Sequence, residues 1–313
     1  MSGALLRFIF LRLSRAALTV IGIVSIVFAL VNAIPGDPVN AILGDQASPE
    51  DRAAMREALG LNEPLLDRYA NFWHHVVDGT LGMSFRHPTT TVASMIAEVV
   101  PDTGRLAVAA LAIAWLIAIP LGCIAAARRD TLWDRSASTF AVLGLAIPNI
   151  WLGPLLILAF AVKLRWLPLP GDDLAGPERL LLPAITIGTA LAAVLTRQTR
   201  AAMREVLRQP YIIAARARGI PETTLVGKHA LRNAMLPIVT IGAAQIGALL
   251  SGAVVTEKIF DRPGVGTLFL EAFFARDIPV VQGCVLLIAL LYVSLNIAVD
   301  LIYGFIDPRV RFV

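Results

Sequence analysis

The sequence predicts an all-α membrane protein with six transmembrane helices and a small helical segment between the first and second. Three observations predict it. Hydrophobic residues make up 57% of the 313, and mean hydropathy is +0.73. A soluble domain of this size could not hide so much apolar surface, so lipid must solvate part of it. Charged residues, 16% of the chain, cluster between the apolar runs. The runs are about 20 residues long, the length that crosses a bilayer as a helix.

The expected spans are residues 9–34, 101–127, 136–163, 180–203, 233–256 and 279–306. Before the first, Arg7, Arg12 and Arg15 precede an apolar run from Ala16 to Ile34, and Val31-Asn32-Ala33 faintly resembles a cleavage site. The run is longer than a signal-peptide core, so residues 1–34 read as a retained anchor. Residues 35–100 form a polar segment with helices of its own. Ser48-Pro49-Glu50-Asp51 supplies a cap, a first-turn proline and first-turn acids, and Gly60 closes that helix. A second helix follows over Asn62 to Asp78, with Leu65, Leu66, Tyr69, Phe72, Trp73, Val76 and Val77 on one stripe. That stripe packs on the bundle or lies on the outer leaflet, and the segment can also receive a partner. Residues 101–306 form a five-span core, and 307–313 a tail. Pro120, Pro148, Pro154 and Pro183 fall inside spans, where neighbouring helices re-satisfy the backbone.

Lysine and arginine placement sets the orientation. With the N-terminus inside, the cytoplasmic segments hold Arg128, Arg129, Arg135, Arg197, Arg200, Arg204, Arg208, Arg216, Arg218, Lys228, Arg232, Arg309 and Arg311 besides the N-terminal arginines. Both termini are therefore expected in the cytoplasm. The net charge of +4 fits loops and phospholipid headgroups, and no nucleic-acid footprint is expected.

Within this pattern the stretch from Ala202 to Pro237 stands out as basic and organised, with a loop at 204–232. Tyr211 to Arg218 can be helical, Gly219 suits the residue after a helix end, and Pro221 with Glu222 restarts a helix at its first turn. Positive charge alone would set topology. The cap-and-break arrangement goes further and predicts a short helix presented for docking.

Chemistry within the chain is not expected. Gly227-Lys228-His229 looks like the end of a phosphate-binding loop, but Glu222 stands where the earlier glycine belongs and His229 replaces Ser/Thr. Any ATP chemistry, with its magnesium, would therefore have to come from another subunit. Cys123 and Cys284 fall in apolar runs and read as buried packing. His74, His75, His87 and His229 show no metal-ligand spacing. Ionisable groups in the spans are few: Arg105 near one edge, and Asp300, with Asn296 one turn earlier, near the other. No nucleophile–base set or carboxylate pair accompanies them, which argues against an intramembrane enzyme and a stand-alone ion or proton carrier. Asp300 reads as structural pairing, with a gating or substrate role as the alternative.

In the fifth span small residues recur at four-residue spacing, Ala243, Gly247 and Ser251, with Gln245 and Gly252 close by. Such a face permits tight helix packing or lines a passage for bulky cargo. Periodicity does not separate the two.

The loop resembles the EAA loop of ABC importer permeases, in the form found in their peptide-importer branch. The residues that carry the resemblance are Ala214-Ala215-Arg216-Ala217-Arg218-Gly219-Ile220 and Lys228-His229-Ala230-Leu231-Arg232-Asn233-Ala234-Met235-Leu236-Pro237. It runs through nearly the whole chain: Pro35-Gly36-Asp37-Pro38-Val39, Leu59-Gly60-Leu61, Leu81-Gly82-Met83-Ser84-Phe85, Pro120-Leu121-Gly122, Glu257-Lys258-Ile259-Phe260, Pro263-Gly264-Val265-Gly266, Arg276-Asp277-Ile278-Pro279 and Asp307-Pro308-Arg309-Val310-Arg311. The long segment after the first span resembles that of the first of two permeases in a dipeptide/oligopeptide importer. Three positions depart from the pattern: Ile213 for the glutamate of the wider family, Pro210 for an acidic residue, and Arg179 for a histidine.

The resemblance implies a type I importer fold in a bacterial inner membrane. Its partners would be a second permease, one or two ATP-binding subunits and an external solute-binding protein. Residues 211–219 would form the coupling helix, with Tyr211, Ala214, Ala215, Arg216, Ala217, Arg218, Gly219, Pro221, His229, Arg232 and Asn233 as the ATPase-coupling set. Ala243, Gln245, Gly247 and Ser251 would line the path. Peptide is the expected cargo; nickel, haem-like or oligosaccharide cargo in the same family is the alternative.

Overall fold

A computed structural model describes residues 3–33, 36–44, 46–171, 176 and 178–306; side chains are not described at 3–11, 13, 250, 251 and 299–306. Pro35 and the tail 307–313 therefore lie outside the described residues, as do the side chains of Ser251 and Asp300. The described residues are helical apart from loops and one isolated bridge between Met83 and Thr91. In order the helices are α1 (Gly3–Ala33), α2 (Pro38–Leu43), α3 (Pro49–Ala58), α4 (Leu65–Val77), α5 (Val92–Ala127), α6 (Leu132–Ala146), α7 (Asn149–Leu156), α8 (Glu178–Leu207), α9 (Pro210–Ala217), α10 (Glu222–Thr224), α11 (Leu231–Ile259), α12 (Val265–Phe274) and α13 (Ile278–Ile306). π-helical turns extend α7 through Ile157–Lys163 and join α10 to α11 through Leu225–Ala230.

Four straight stretches are long and apolar enough to cross a membrane: Ser14–Ala33, Val92–Ala127, Glu178–Leu207 and Ile278–Ala298. Two bent pairs, each counted as one span, bring the number among the described residues to six. Leu132–Ala146 and Asn149–Lys163 meet at 102°, where the sequence predicts one span. Proline explains the break. Pro148 disfavours helical geometry in the residue before it, and Ile147 is extended at φ −88°, ψ 113°. Leu18, Ile26, Val108, Leu116, Val142 and Trp151 face outward, as lipid-facing residues do.

The chain forms two compact units. The first joins Met1–Thr103 to Pro263–Ser294. Its small helices start on side-chain caps. Asp37 accepts from the Val39 amide at 3.0 Å, and Ser48 accepts from the Asp51 amide at 3.1 Å, each just before a first-turn proline. Gly60, at φ +65°, closes α3, with the Leu61 amide reaching back to the Arg56 carbonyl at 2.9 Å. α4 starts at Leu65, later than the expected Asn62, because Pro64 supplies its cap. The expected stripe splits. Tyr69, Phe72, Trp73 and Val76 face inward, with Phe72 in a core shared by Val20, Val24 and Leu286. Leu65, Leu66 and Val77 are exposed. Tyr69 also meets Ser25 of α1 through a 2.6 Å hydroxyl contact. The unit closes on Asp277. This buried carboxylate accepts from Ser84 Oγ at 2.5 Å and from the amides of Phe85 and Arg86 at 3.1 and 3.4 Å.

The second unit holds Gly104–Arg262 together with the last part of α13, from Leu295. α8 is its axis: it packs against α11 and α6, and fourteen of its residues are buried. One core gathers Leu106, Ala110, Ile187, Leu191 and Leu249. A second gathers Leu195, Met203, Ile212, Leu225, Ala234 and Ile238. The second core brings the basic loop against the spans.

Candidate functional site

α9 starts at Pro210, which has no amide to leave unpaired and holds a helical φ. It ends where the Gly219 amide donates to Arg216 O at 3.0 Å. Gly219 has φ +79° with nothing within 4 Å of a would-be Cβ, so backbone conformation rather than space selects glycine there. Pro221 caps the restart at Glu222.

The helix has two distinct faces. Ile212 is fully buried in the core with Met203 and Leu225, and Ala215 and Ile220 pack beside it. Asn233 ties the helix to the start of α11: its Nδ2 donates to Tyr211 Oη at 2.8 Å and to the His229 carbonyl at 2.9 Å. The opposite face carries Ile213, Ala214, Ala217 and Arg218, all exposed. Their spacing of one, three and one places them on one stripe. Ile213 is 56% exposed, an apolar group standing out of an otherwise basic loop.

Arg216 forms a two-pronged pair with Glu222, Nε to Oε2 at 3.0 Å and Nη2 to Oε1 at 2.7 Å. This bond, followed by the carboxylate's charge, raises the Arg216 pKa and links the end of α9 to α10. Arg232 and Pro221 are exposed, and His229 is half-buried.

A second cluster lies further up α8. Asp134, in the first turn of α6, is buried. It accepts from Arg200 Nε at 2.5 Å, Arg200 Nη2 at 3.0 Å, Arg204 Nη2 at 2.9 Å and the Asp130 amide at 3.1 Å. The neighbouring Trp133 is exposed, with the Arg128 guanidinium 5.4 Å over its ring, an arrangement suited to the headgroup level. Sequence reading assigned Arg200 and Arg204 to topology and missed Asp134. The available signal was an acid at the very start of an apolar run, otherwise flanked by arginines.

Of the expected path residues, Gln245 is buried and donates from Nε2 to the Leu191 carbonyl at 3.1 Å. It lines a largely apolar cavity of about 470 Å³ with Asn149, Val194, Ile241, Ala244 and Ala248. Ala243 and Gly247 are half-buried and are not among the lining residues. Cys123 and Cys284 are buried and unbonded. His74 and His75 gather on Asp78 Oδ2 at 3.8 and 3.3 Å, all three exposed. The Asp78 carboxylate is held by the Thr80 hydroxyl and amide at 2.6 and 2.9 Å.

Spans broken by proline, a cavity between helices and a short helix with one anchored and one open face define a membrane-embedded transport subunit. The chain belongs to the family of inner membrane components of binding-protein-dependent transport systems: residues 118–312 match that family, and residues 5–107 match its N-terminal part. It is thus a multi-pass permease of an ABC importer, lodged in the inner membrane. It is 37% identical to the di/tripeptide transport system permease protein DppB of Pseudomonas aeruginosa (strain UCBPP-PA14) over 337 residues, 98% of this chain and 99% of that one. The glutathione transport system permease protein GsiC of Escherichia coli (strain K12) is 40% identical over 292 residues, 92% of this chain and 93% of that one. The fold is shared with a solved structure of the MetNI methionine ABC transporter, at TM-score 0.58 and 18% identity, covering 68% of this chain and 96% of that one.

Proposed function

We infer that the chain is one of two permeases of an importer for short peptides, and that α9 is the element through which ATPase subunits drive it. The observation that carries the coupling role is the two-faced geometry of α9. Ile212 locks the helix to the span core, while Ile213, Ala214, Ala217 and Arg218 are left open for a partner. A rigid element of this kind transmits force from whatever binds it. Similarity to di/tripeptide and glutathione permeases over more than nine-tenths of their lengths supports peptide cargo.

In this reading ATP and magnesium are held by one or two partner ATPases, and a second permease completes the path. A solute-binding protein delivers cargo to residues 35–100 on the outer side. Both termini and the loop 204–232 lie in the cytoplasm, as lysine and arginine placement supports. Closure of the ATPases on ATP pulls α9 and shifts the population toward the outward-open state. Residues near Gln245 and the 470 Å³ cavity contribute to the path.

Gentle purification of the tagged chain, with mass spectrometry of what co-purifies, tests this. The expected result is a second six-span permease with P-loop ATPases, and uptake of labelled dipeptide that requires ATP. A chain that emerges alone, or with copies of itself only, overturns it. An importer that carries nickel and no peptide overturns the cargo alone.

A further inference from the structure

We propose that Asp134 is a positioning residue for transport: it carries the movement of α8 and α9 into α6, and so into the bent α6–α7 segment. The proposal rests on the reading of α9 as the coupling helix. Arg200 and Arg204 sit one turn apart near the end of α8, and residues 208–209 then lead into α9. Ile212 of α9 and Met203 of α8 share one core, so the end of α8 and α9 move as one body. Three guanidinium bonds to Asp134 join that body to the first turn of α6. Near its other end α6 meets α8 by close packing: a Cβ on Gly144 would lie 2.8 Å from Ala193 Cβ. That contact holds only at one spacing, whereas two arginines that share one carboxylate can exchange their bonds to it.

The surroundings provide for such a shift. A cavity of about 190 Å³ is lined by Ser138, Ala141, Thr196, Arg197 and Arg200. Thr196 Oγ1 and Arg204 Nε are buried and make no hydrogen bond. Arg200 therefore has space beside it, and the cluster holds an acceptor and a donor to spare. The two arginines keep about a quarter of their side-chain surface exposed, 28% and 25%, while Asp134 keeps 5%. The acid is fixed and the cations are able to move. Buried ion pairs often contribute little net stability over apolar packing, so a role in switching accounts better for this one.

The test uses the complete importer in liposomes, with its binding protein and a labelled dipeptide, reading uptake and ATP hydrolysis together. Asp134→Asn is expected to lower transport per ATP about tenfold while hydrolysis changes less than about twofold, and Asp134→Glu to restore most of the ratio. A proportional fall in both activities that Glu does not rescue overturns the proposal, as does no change in either. If Asp134→Asn fails to accumulate in the membrane, Arg204→Gln, which removes one bond of the three, reads the same ratio. A smaller fall is then expected, and an unchanged ratio overturns the proposal. Ala217→Trp on the open face of α9 keeps the two readings apart. It is expected to release the ATPase subunits; if they stay bound and uptake is normal, the coupling-helix reading fails. If they are released while Asp134→Asn keeps a normal ratio, only the proposal about Asp134 fails.

Discussion

Each of the two units is fastened by a buried aspartate, and the two aspartates are bonded by opposite kinds of donor. Asp277 is held by a serine hydroxyl and by backbone amides of the turn that Ser84 itself organises. Those donors are fixed by the chain, so the fastening has one geometry. Asp134 is held chiefly by two arginine side chains on long flexible stems. Its bonds can be exchanged without unfolding a turn. The first contact suits a unit that presents a rigid surface, and the second a unit that must change shape. A buried charge alone therefore does not say whether a joint is static; the mobility of its donors does.

The largest effect is expected at the static joint. Asp277→Ala leaves the Ser84 hydroxyl and the Phe85 amide without their acceptor, at a cost of about 3 kcal/mol. Thermal unfolding in detergent, followed by protease resistance of residues 35–100, should show that loss. Ser84→Ala removes a turn-forming hydroxyl as well as one bond and should cost about 1.5 kcal/mol. If both variants unfold like the parent, Asp277 is not the fastening.

At the second joint the loss should be graded by bond number. Arg200 gives two bonds and Arg204 one, so their Gln variants should cost about 2 and about 1 kcal/mol. Cycles with Asp134→Asn should show coupling in both pairs. Equal costs would mean that the arginines act through packing alone. Gly219→Ala forces a side chain into left-handed geometry and should cost about 1 kcal/mol, with ATPase affinity as the sensitive readout. The smallest change is expected at Arg216→Gln, under about 0.5 kcal/mol and weaker still in salt, because that pair is half-exposed.

A pH series separates these joints from the surface. The Thr80 hydroxyl, then the Thr80 amide, then the His75 contact hold the Asp78 carboxyl down at about 2. A depressed acid contributes stability above its unfolded value of about 4, lost as pH falls through the folded value. Carboxyl titration followed by NMR in Asp78-labelled protein should thus stay flat from about pH 8 down to about pH 4, with its midpoint at about 2. A midpoint near 4 would show that the Thr80 contacts do not form.

Much of this was legible in the sequence because it is local. The cap at Ser48, the closure at Gly60, the helix after Pro210 and the turn at Gly219 each depend on a few neighbouring residues; the cap at Asp37 is as local but was not read. Six apolar runs were legible for the same reason, since span length is a property of the run. The bend at Ile147–Pro148 was not, because membrane helices accommodate many prolines and only tertiary packing decides which ones break. Asp134 and the Ser84–Asp277 contact were hidden because their partners lie 66 and 193 positions away. The small-residue stripe gave a face but not its neighbour: Gln245 lines the cavity, while Ala243 and Gly247 do not.

Cross-linking in native membranes tests the assignment of the coupling surface most directly. Cys123 and Cys284 are buried, so a cysteine placed on the surface is the reactive one. Ala217→Cys on α9 and Ala53→Cys on α3 give one probe in each unit, both at exposed positions. A maleimide–benzophenone cross-linker, attached at the cysteine and then photoactivated, should join position 217 to a P-loop ATPase and leave position 53 free of it, while a membrane-impermeant maleimide added from outside should label only position 53. An ATPase cross-link from position 53 and none from 217 would contradict the assignment of both surfaces.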